Sequence, residues 1–157
     1  MRPIFSIGHS RLGIEEFVKL LERHGIKTLV DVRSFPSSKI APHFNRDGLT
    51  AALAAAGIGY VWTGATMGGR GRESYEKIRQ KPSFQEAMRE LIRTSQEQAT
   101  VLMCAEEDPF TCHRRFLISR SLFEDFAFLN VQHIRKDGSV QEEPGFPDTA
   151  VQMALGF

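Results

Sequence analysis

Residues 28–32 read Thr-Leu-Val-Asp-Val, a short segment of mostly apolar and β-branched side chains. Strands that are covered on both faces of a parallel sheet have this near-continuous apolar pattern. Upstream, apolar residues recur at helical spacing between Ile14 and Leu21 and predict a helix over residues 13–24, which Gly25 ends. Together these segments predict one helix–strand unit of an α/β fold.

The alternation of helix and strand extends over most of the chain. Short apolar runs predict strands at residues 4–7, 28–32, 60–62, 99–104 and 130–134, with helices between them. We therefore expect a Rossmann-like, three-layer α/β/α fold with a mainly parallel sheet of about five strands. A single α/β domain is expected over residues 1–157, with its core at about 4–135 and a C-terminal tail at 136–157.

Length and composition argue against several classes of protein. The chain has 157 residues, 41% of them hydrophobic, and 20 Lys and Arg against 19 Asp and Glu leave a formal net charge of +1. This is globular composition, not that of a disordered or disulfide-knotted chain, and the charge argues against binding by bulk charge. No apolar run approaches the roughly 20 residues of a membrane span. We expect a cytoplasmic protein with no membrane partner, no signal peptide and two reduced cysteines.

Two helix starts can be predicted from capping residues. Ser83 and Glu86 match a capping box at the start of the helix before the fourth strand. Thr111 can cap the next helix, which places Cys112 and His113 in its first turn. Unpaired N–H groups and the dipole of a first helical turn favour an anion. We therefore expect the pKa of the Cys112 thiol to lie below its ordinary value.

Residues with chemically active side chains follow the predicted strands directly. Ligands of parallel α/β sheets bind outside the carboxyl ends of the strands, so these residues are expected to meet at one edge. They are His9 and Ser10 after the first strand, Asp31 and Arg33 at the end of the second, Cys104 and Glu106 at the end of the fourth, and Cys112, His113 and Arg114 at the next helix start. The sequence thus predicts a site at the carboxyl edge of the sheet.

The two cysteines are the leading candidates for chemistry. Cys112 is expected to act as a nucleophile or redox thiol beside His113, and Cys104 to be buried and to support it. The alternative is that both thiols are inert packing residues, since free cysteine is among the most buried residue types. No metal is expected, because the Cys-x7-Cys-His spacing is not that of a zinc knuckle.

Two carboxylates and a histidine complete the predicted catalytic set. Glu106 or His9 is expected to move a proton, and Asp31 to orient a partner. The alternatives are structural. Asp31 and Arg33 can form an ion pair, and His9 with Ser10 can cap a helix or pack in the core.

Basic residues accumulate in the predicted loops. Arg33, Arg70, Arg72 and Arg114 are expected to bind an anion if these loops converge, because arginine binds phosphate in bidentate fashion. The partner would then be an anionic small molecule or a nucleic acid. The alternative is that the loops are charged because they are solvated. The glycine-rich segment 64–72 matches neither a P-loop nor a dinucleotide-binding loop, so no cofactor is expected.

Five motifs occur in order along the chain. They are Ile7-Gly8-His9-Ser10, Asp31-Val32-Arg33-x-x-Pro36-x-Ser38, Pro42-x-Phe44-Asn45, Gly68-Gly69 and Cys104-x-Glu106-x-x-Pro109-x-x-Cys112-His113-Arg114. In this order, over about residues 4–135, they resemble the family of domain of unknown function 488 (DUF488). The resemblance implies an α/β domain and no particular reaction. It marks Ser10, Ser38 and Asn45 as further substrate-binding candidates, and Met67 stands where the pattern has Leu.

A weaker likeness is to rhodanese domains. They also have a strand that ends in Asp-x-Arg and a later strand that ends in a catalytic cysteine. Here Glu106, Glu107 and Asp108 follow Cys104. Three carboxylates would raise the pKa of the thiol and repel an anionic sulfur donor. We therefore expect no persulfide on Cys104.

Three functions are compatible with these patterns. The first is an enzyme that acts on a phosphate-bearing substrate, a nucleotide or nucleic acid, with Cys, His and Glu groups. The second is a non-catalytic module that binds nucleic acid or another partner. The third is a thiol redox sensor that forms a Cys104–Cys112 disulfide, which requires the two Cα atoms to lie within about 7 Å.

Overall fold

Six strands form one sheet in the computed structural model, which describes residues 1–146. The strands are β1 (Ile4–Gly8), β2 (Thr28–Asp31), β3 (Gly59–Trp62), β4 (Thr100–Cys104), β5 (Val131–Ile134) and β6 (Val140–Glu142). Their order is β3-β2-β4-β1-β5-β6, and all neighbours are parallel except β5 and β6. The predicted, mainly parallel sheet is confirmed.

Helices and short turns connect the strands. The helices are α1 (Ile14–Arg23), α2 (Arg46–Ala55), α3 (Gly64–Met67), α4 (Tyr75–Gln80), α5 (Pro82–Glu97) and α6 (Arg120–Phe126). A π-helical segment, Arg114–Ser119, leads directly into α6, and 3-10 turns lie at Pro42–Phe44 and Pro109–Thr111. Among residues 1–146, no helix has both the length and the apolar character needed to cross a membrane.

The side chains of β4 alternate between two buried layers. Val101 and Met103 pack in one core with α1 and α2, whereas Leu102 and Cys104 pack in another with α5 and α6. Successive side chains of a strand point to opposite faces of the sheet, so helices cover both faces. The predicted three-layer α/β fold is confirmed, and Cys104 faces the α5 and α6 layer.

A sixth strand forms within the segment that was predicted to be a tail. β6 pairs antiparallel with β5, with Val140 opposite Ile134. Because its residues are mainly exposed and two of the three are polar, no apolar run predicts this strand. The rest of the predicted tail, residues 147–157, lies outside the described residues.

The predicted capping box at Ser83 does not form. α5 begins at Pro82, with Lys81 as its N-cap and without a side-chain hydrogen bond to the cap. Ser83 therefore lies inside the first turn of the helix. Proline suits the first helical position because its missing N–H needs no partner there, so the helix starts earlier than predicted.

The segment before α6 starts with a tight turn. The Asp108 carboxylate accepts a hydrogen bond from the Phe110 N–H, at the start of the 3-10 turn that ends at Thr111. Cys112 is extended, with φ −125° and ψ 148°, and the helical segment begins only after His113. The prediction that Thr111 caps this helix, with Cys112 in the first turn, is wrong because the Asp108 turn comes between β4 and the helix.

Candidate functional site

The parallel register brings the ends of the central strands to one edge of the sheet. Gly8 lies opposite Cys104, and Asp31 lies opposite Met103 and Trp62. A cleft of about 240 Å³ opens at this edge, between the loop after β2, the turn at Gly69 and Arg70, and the segment after β4. Six of the predicted site residues line it: Arg33, Arg70, Cys104, Glu106, Cys112 and His113.

A larger groove lies elsewhere on the molecule, between α4, α5 and the start of α6. Its volume is about 980 Å³, but neither cysteine nor histidine is among its lining residues. Its Arg79 guanidinium is bound to Glu124 and Asp125 at 3.0 and 2.9 Å. The smaller cleft therefore holds the groups that can act as nucleophiles.

Two free thiols meet at the base of the cleft. The Sγ atoms of Cys104, at the end of β4, and of Cys112 are 2.7 Å apart. The Arg114 backbone N–H donates to Cys112 Sγ at 3.5 Å, and His113 Nδ1 lies 3.6 Å from the same sulfur. Cys112 is extended, and His113 has helical backbone angles.

The pKa values of the two thiols move in opposite directions. The hydrogen bond from Cys104 lowers the pKa of Cys112 far below its ordinary value against the effect of burial, and His113 and Arg114 add to the shift. Burial is the main cause that raises the pKa of Cys104, and the hydrogen bond to Cys112 raises it further. Cys112 is thus the thiolate of the pair, and the Cys104 S–H donates to it. Tyr75 also lines the cleft, and its pKa is raised by burial and by the Cys112 charge.

The imidazole of His113 is held in one orientation. Its Nε2 lies 2.9 Å from the carbonyl oxygen of Val32. A carbonyl can only accept, so Nε2 carries a hydrogen and Nδ1 faces the Cys112 sulfur. A Cβ on Gly69 would lie 2.5 Å from the ring of His113, which explains the need for the second glycine of the Gly68-Gly69 motif.

Arg114 is fully buried, and it does not line the cleft. Its guanidinium donates to Cys104 Sγ at 3.0 Å, to Ser6 Oγ at 2.8 Å and to the carbonyl oxygens of Glu106 and Glu107 at 2.7 and 3.2 Å. Among residues 1–146, no carboxylate pairs with it. A buried charge requires a compensating charge nearby. The thiolate of the cysteine pair provides that charge.

A buried polar network, which was not predicted from the sequence, binds the Arg114 guanidinium through Ser6. The Arg114 guanidinium donates to Ser6 Oγ, and this oxygen lies 2.5 Å from His133 Nδ1. His133 Nε2 then donates to Glu143 at 3.2 Å, and Arg115 donates to the same carboxylate at 3.0 Å. Burial acts to raise the pKa of Glu143, but His133 and Arg115 outweigh it and hold this pKa below its usual value. The signal was present in the sequence, since Ser6 and His133 interrupt apolar strands.

Asp31 and Arg33 form a buried ion pair. The guanidinium of Arg33 donates to both carboxylate oxygens, at 2.9 and 2.8 Å, and the Arg33 N–H donates to one of them. The Tyr60 hydroxyl donates to the same carboxylate at 2.5 Å. Burial and this hydrogen bond raise the pKa of Tyr60. Of the alternatives considered, the structure shows the ion pair, in which Asp31 fixes Arg33 at the wall of the cleft.

His9 is buried behind that wall and does not line the cleft. Its ring stacks on Phe44, Nδ1 donates to the Ser10 carbonyl at 2.9 Å, and Nε2 lies 3.4 Å from Arg33. Burial lowers the pKa of His9 to about 4, so the ring is neutral near pH 7. The Ser10 N–H donates to the Ala105 carbonyl at 2.9 Å, which ties the chain after β1 to the chain after β4.

The remaining predicted binding residues lie away from the cleft. Asn45 Oδ1 accepts from the Ser38 N–H at 2.7 Å, and Ser38 Oγ accepts from the Ala41 N–H at 3.0 Å, so both stabilise the loop after β2. Arg72 lines a neighbouring cleft, which Arg70 also borders.

The three carboxylates that follow Cys104 point in different directions. Glu107 binds Arg135 at 2.9 Å, and this ion pair lowers the pKa of Glu107, while Asp108 caps the 3-10 turn. Only Glu106 lines the cleft. The raised pKa of Cys104 therefore comes from burial and its neighbouring thiolate, and the predicted effect of three carboxylates is not the cause. Within residues 1–146, no group of three or more His, Cys, Asp or Glu is arranged to hold a metal ion.

The fold and the site together define a three-layer α/β protein with a paired-thiol site at the carboxyl edge of its sheet. The family model described as "Domain of unknown function DUF488" matches residues 13–121, more than half of the chain. The chain belongs to the DUF488 family. No curated protein and no solved structure matches it. The matched segment contains both thiols, His113 and Arg114, whereas Ser6 and Glu143 lie outside it.

Proposed function

We propose that this protein is a thiol–disulfide oxidoreductase in which Cys112 attacks the substrate and Cys104 resolves the product. The observation that carries the proposal is the 2.7 Å distance between two free sulfur atoms whose pKa values are shifted in opposite directions. A thiolate beside a protonated second thiol can react with a disulfide and then close an intramolecular disulfide. This develops the redox alternative of the sequence analysis.

The proposed reaction has two exchange steps. The Cys112 thiolate attacks one sulfur of a substrate disulfide, the substrate S–S bond breaks, and the leaving thiolate takes a proton from solvent. Cys104 then attacks Cys112 Sγ and releases the second substrate thiol, which takes the Cys104 proton. The substrate gains two electrons and the protein dithiol loses them. A low-molecular-weight dithiol regenerates the reduced protein, and a cytoplasmic location, which stays a prediction, would supply a reducing thiol pool.

A phosphate-bearing substrate, the first alternative of the sequence analysis, has less support from the geometry. Asp31 binds the guanidinium of Arg33, Arg114 is buried against the thiols, and Arg72 borders another cleft. Among residues 1–146, this leaves Arg70 as the one arginine at the cleft whose guanidinium is unpaired and available to bind an anion. A pure binding module would not require a thiolate stabilised at this position.

A single-turnover assay tests the oxidoreductase proposal. Reduced protein, freed of reductant, is mixed with bis(2-hydroxyethyl) disulfide, and the products are identified by intact-mass and peptide mass spectrometry. Wild type should form the Cys104–Cys112 disulfide and release two thiols. Cys104→Ser keeps a hydroxyl donor for the thiolate and should stop at a mixed disulfide on Cys112. Cys112→Ser should not react.

Two results would contradict the proposal. One is the absence of a Cys104–Cys112 disulfide in wild type after the substrate has been consumed. The other is hydrolysis of p-nitrophenyl phosphate that requires Cys112 but continues unchanged in Cys104→Ser, because a hydrolase needs no resolving thiol. Circular dichroism of each variant provides the folding control.

A further inference from the structure

The cleft presents two unpaired side chains of opposite charge. Arg70 and Glu106 both line it, yet they form no ion pair with each other, and within residues 1–146 neither side chain has another charged or hydrogen-bonding partner. Solvent-exposed charges of this kind are common on loops. Here, however, they face one small cavity that also contains the reactive thiol.

The other charges at the cleft are already compensated. Arg33 is bound by Asp31, and the neighbouring Glu107 is bound by Arg135. The Arg114 charge is balanced by the thiolate, which it reaches through Cys104. What remains for a ligand is one cation and one anion. Complementary charges at a binding site contribute more to specificity than to affinity.

From this arrangement we infer the substrate class: a small zwitterionic disulfide, one that carries a carboxylate for Arg70 and an ammonium group for Glu106 near the S–S bond. Disulfides of amino-acid or short-peptide thiols have this chemistry. The inference rests on the oxidoreductase function proposed above.

The dimensions and backbone of the site support a small substrate. About 240 Å³ is below the usual 300–1,000 Å³ of drug-sized ligand sites, so only a compact molecule fits inside. Ser34 Oγ accepts from the Arg70 N–H at 3.0 Å, which holds the backbone of Arg70 against the loop after β2. Glu106 is anchored on the opposite side, where its carbonyl accepts from the Arg114 guanidinium at 2.7 Å. The two charges thus project from fixed backbone positions.

Four small disulfides of different charge test the inference. Cystine carries both charges, cystamine only cations, dithiodiglycolic acid only anions, and bis(2-hydroxyethyl) disulfide none. The rate constant of each with Cys112 is measured by stopped flow and divided by its rate constant with a free thiolate, which removes differences in intrinsic reactivity. Wild type should favour cystine over the neutral disulfide.

Single variants assign each charge to its partner. Arg70→Gln should slow cystine and dithiodiglycolic acid by about two- to fivefold each, the range for an exposed ion pair, and leave cystamine and the neutral disulfide unchanged. Glu106→Gln should slow cystine and cystamine to a similar extent. Arg11→Gln removes an exposed arginine outside the cleft and should change none of the four rates.

The outcomes separate this inference from the proposed function. If all four disulfides oxidise the thiol pair with no preference that Arg70→Gln or Glu106→Gln alters, the zwitterionic substrate is wrong and the oxidoreductase stands. If none of the four yields the Cys104–Cys112 disulfide, the proposed function itself fails.

Discussion

The negative charge of the Cys112 thiolate is stabilised by three neighbouring groups from different parts of the chain. Cys104 donates from the neighbouring strand, Arg114 donates through its backbone N–H, and His113 lies beside the same sulfur. Each favours the thiolate over the thiol, and together they outweigh the cost of burial. The reactive form of this residue therefore exists near neutral pH without a separate base.

Alkylation kinetics follow directly from this charge. The rate constant of Cys112 with iodoacetamide should change less than about twofold between pH 6 and 8, because the thiolate already predominates. An ordinary thiol with a pKa of ~8.5 loses nearly tenfold in rate over each pH unit well below that value. Cys104 should remain unmodified in the folded protein. Peptide mass spectrometry reads the two sites separately.

The Cys104 donor offers a matched control for that experiment. Cys104→Ala removes the strongest stabilising contact of the thiolate and should raise the pKa of Cys112, whereas Cys104→Ser keeps an O–H donor and should largely preserve the low pKa. A Cys112 rate that follows an ordinary thiol in wild type would show that the thiolate assignment is incorrect.

At the scale of elements, the site depends on how closely the loop after β4 crosses the end of β1. The Glu106 carbonyl lies so close to Gly8 that a Cβ on Gly8 would be 1.6 Å from its oxygen. The same carbonyl accepts from Arg114, and the Ser10 N–H donates to Ala105 in the same loop. The glycine of the first motif is therefore needed for close approach of two backbones, and the loop holds Arg114 beneath the thiols.

Substitution of this glycine should disturb both stability and chemistry. Gly8→Ala cannot be accommodated by rotation of a side chain because the contact is with backbone, and we expect a loss of at least the roughly 1–3 kcal/mol that is typical of overpacking. Gly59→Ala is the control, since its Cβ would have no neighbour closer than 3.8 Å and should change stability by less than about 0.5 kcal/mol. Urea unfolding measures both. Equal stabilities of the two variants would contradict the close-approach argument.

At the scale of the whole molecule, one buried network of polar groups connects the thiol pair, at the end of β4, to the edge of the sheet formed by β6. It runs from Cys104 through Arg114 to Ser6 on β1, His133 on β5 and Glu143 after β6. Strand β6 pairs antiparallel with β5 and ends at Glu142. The next residue, Glu143, provides the carboxylate that completes this network. The edge strand that the sequence did not predict thus has a structural role in supporting the site.

The buried thiolate should also couple folding to pH. The pKa of Cys112 is lowered in the folded state, so between that value and ~8.5 the unfolded chain binds one proton more than the native protein. The contribution is fully present above ~8.5 and is lost as the pH falls toward the native pKa. Relative to Cys112→Ser, wild type should gain about 1.4 kcal/mol of unfolding free energy per pH unit between pH 6 and 8.

Urea titrations under reducing conditions at pH 6, 7 and 8 check this slope. Cys104→Ser retains the Cys112 thiolate and should show nearly the slope of wild type, because a thiol with a raised pKa stays protonated in this window. A difference between wild type and Cys112→Ser that does not change with pH would contradict a native thiolate.

Local pattern was sufficient for the order of the five parallel strands and for the edge at which the reactive residues collect. Ile14 to Leu21 and residues 28–32 carry periodicities that depend only on neighbours in the chain. The topology rule for parallel sheets then placed Cys104 and Cys112 at the same edge. Family membership was also evident from the ordered motifs, and the match over residues 13–121 confirms it.

Which of those residues meet was decided only by the tertiary structure. His9 and Arg114 follow the same positional rule as Glu106, yet both are buried outside the cleft while Glu106 lines it. Side-chain direction depends on contacts between residues far apart in the chain, such as Ser6 and His133, which are 127 positions apart. The sequence by itself thus determined the five parallel strands and the edge at which the site lies, because these follow from local periodicity. Long-range packing determined the sixth strand, the thiol pair and its counter-charge.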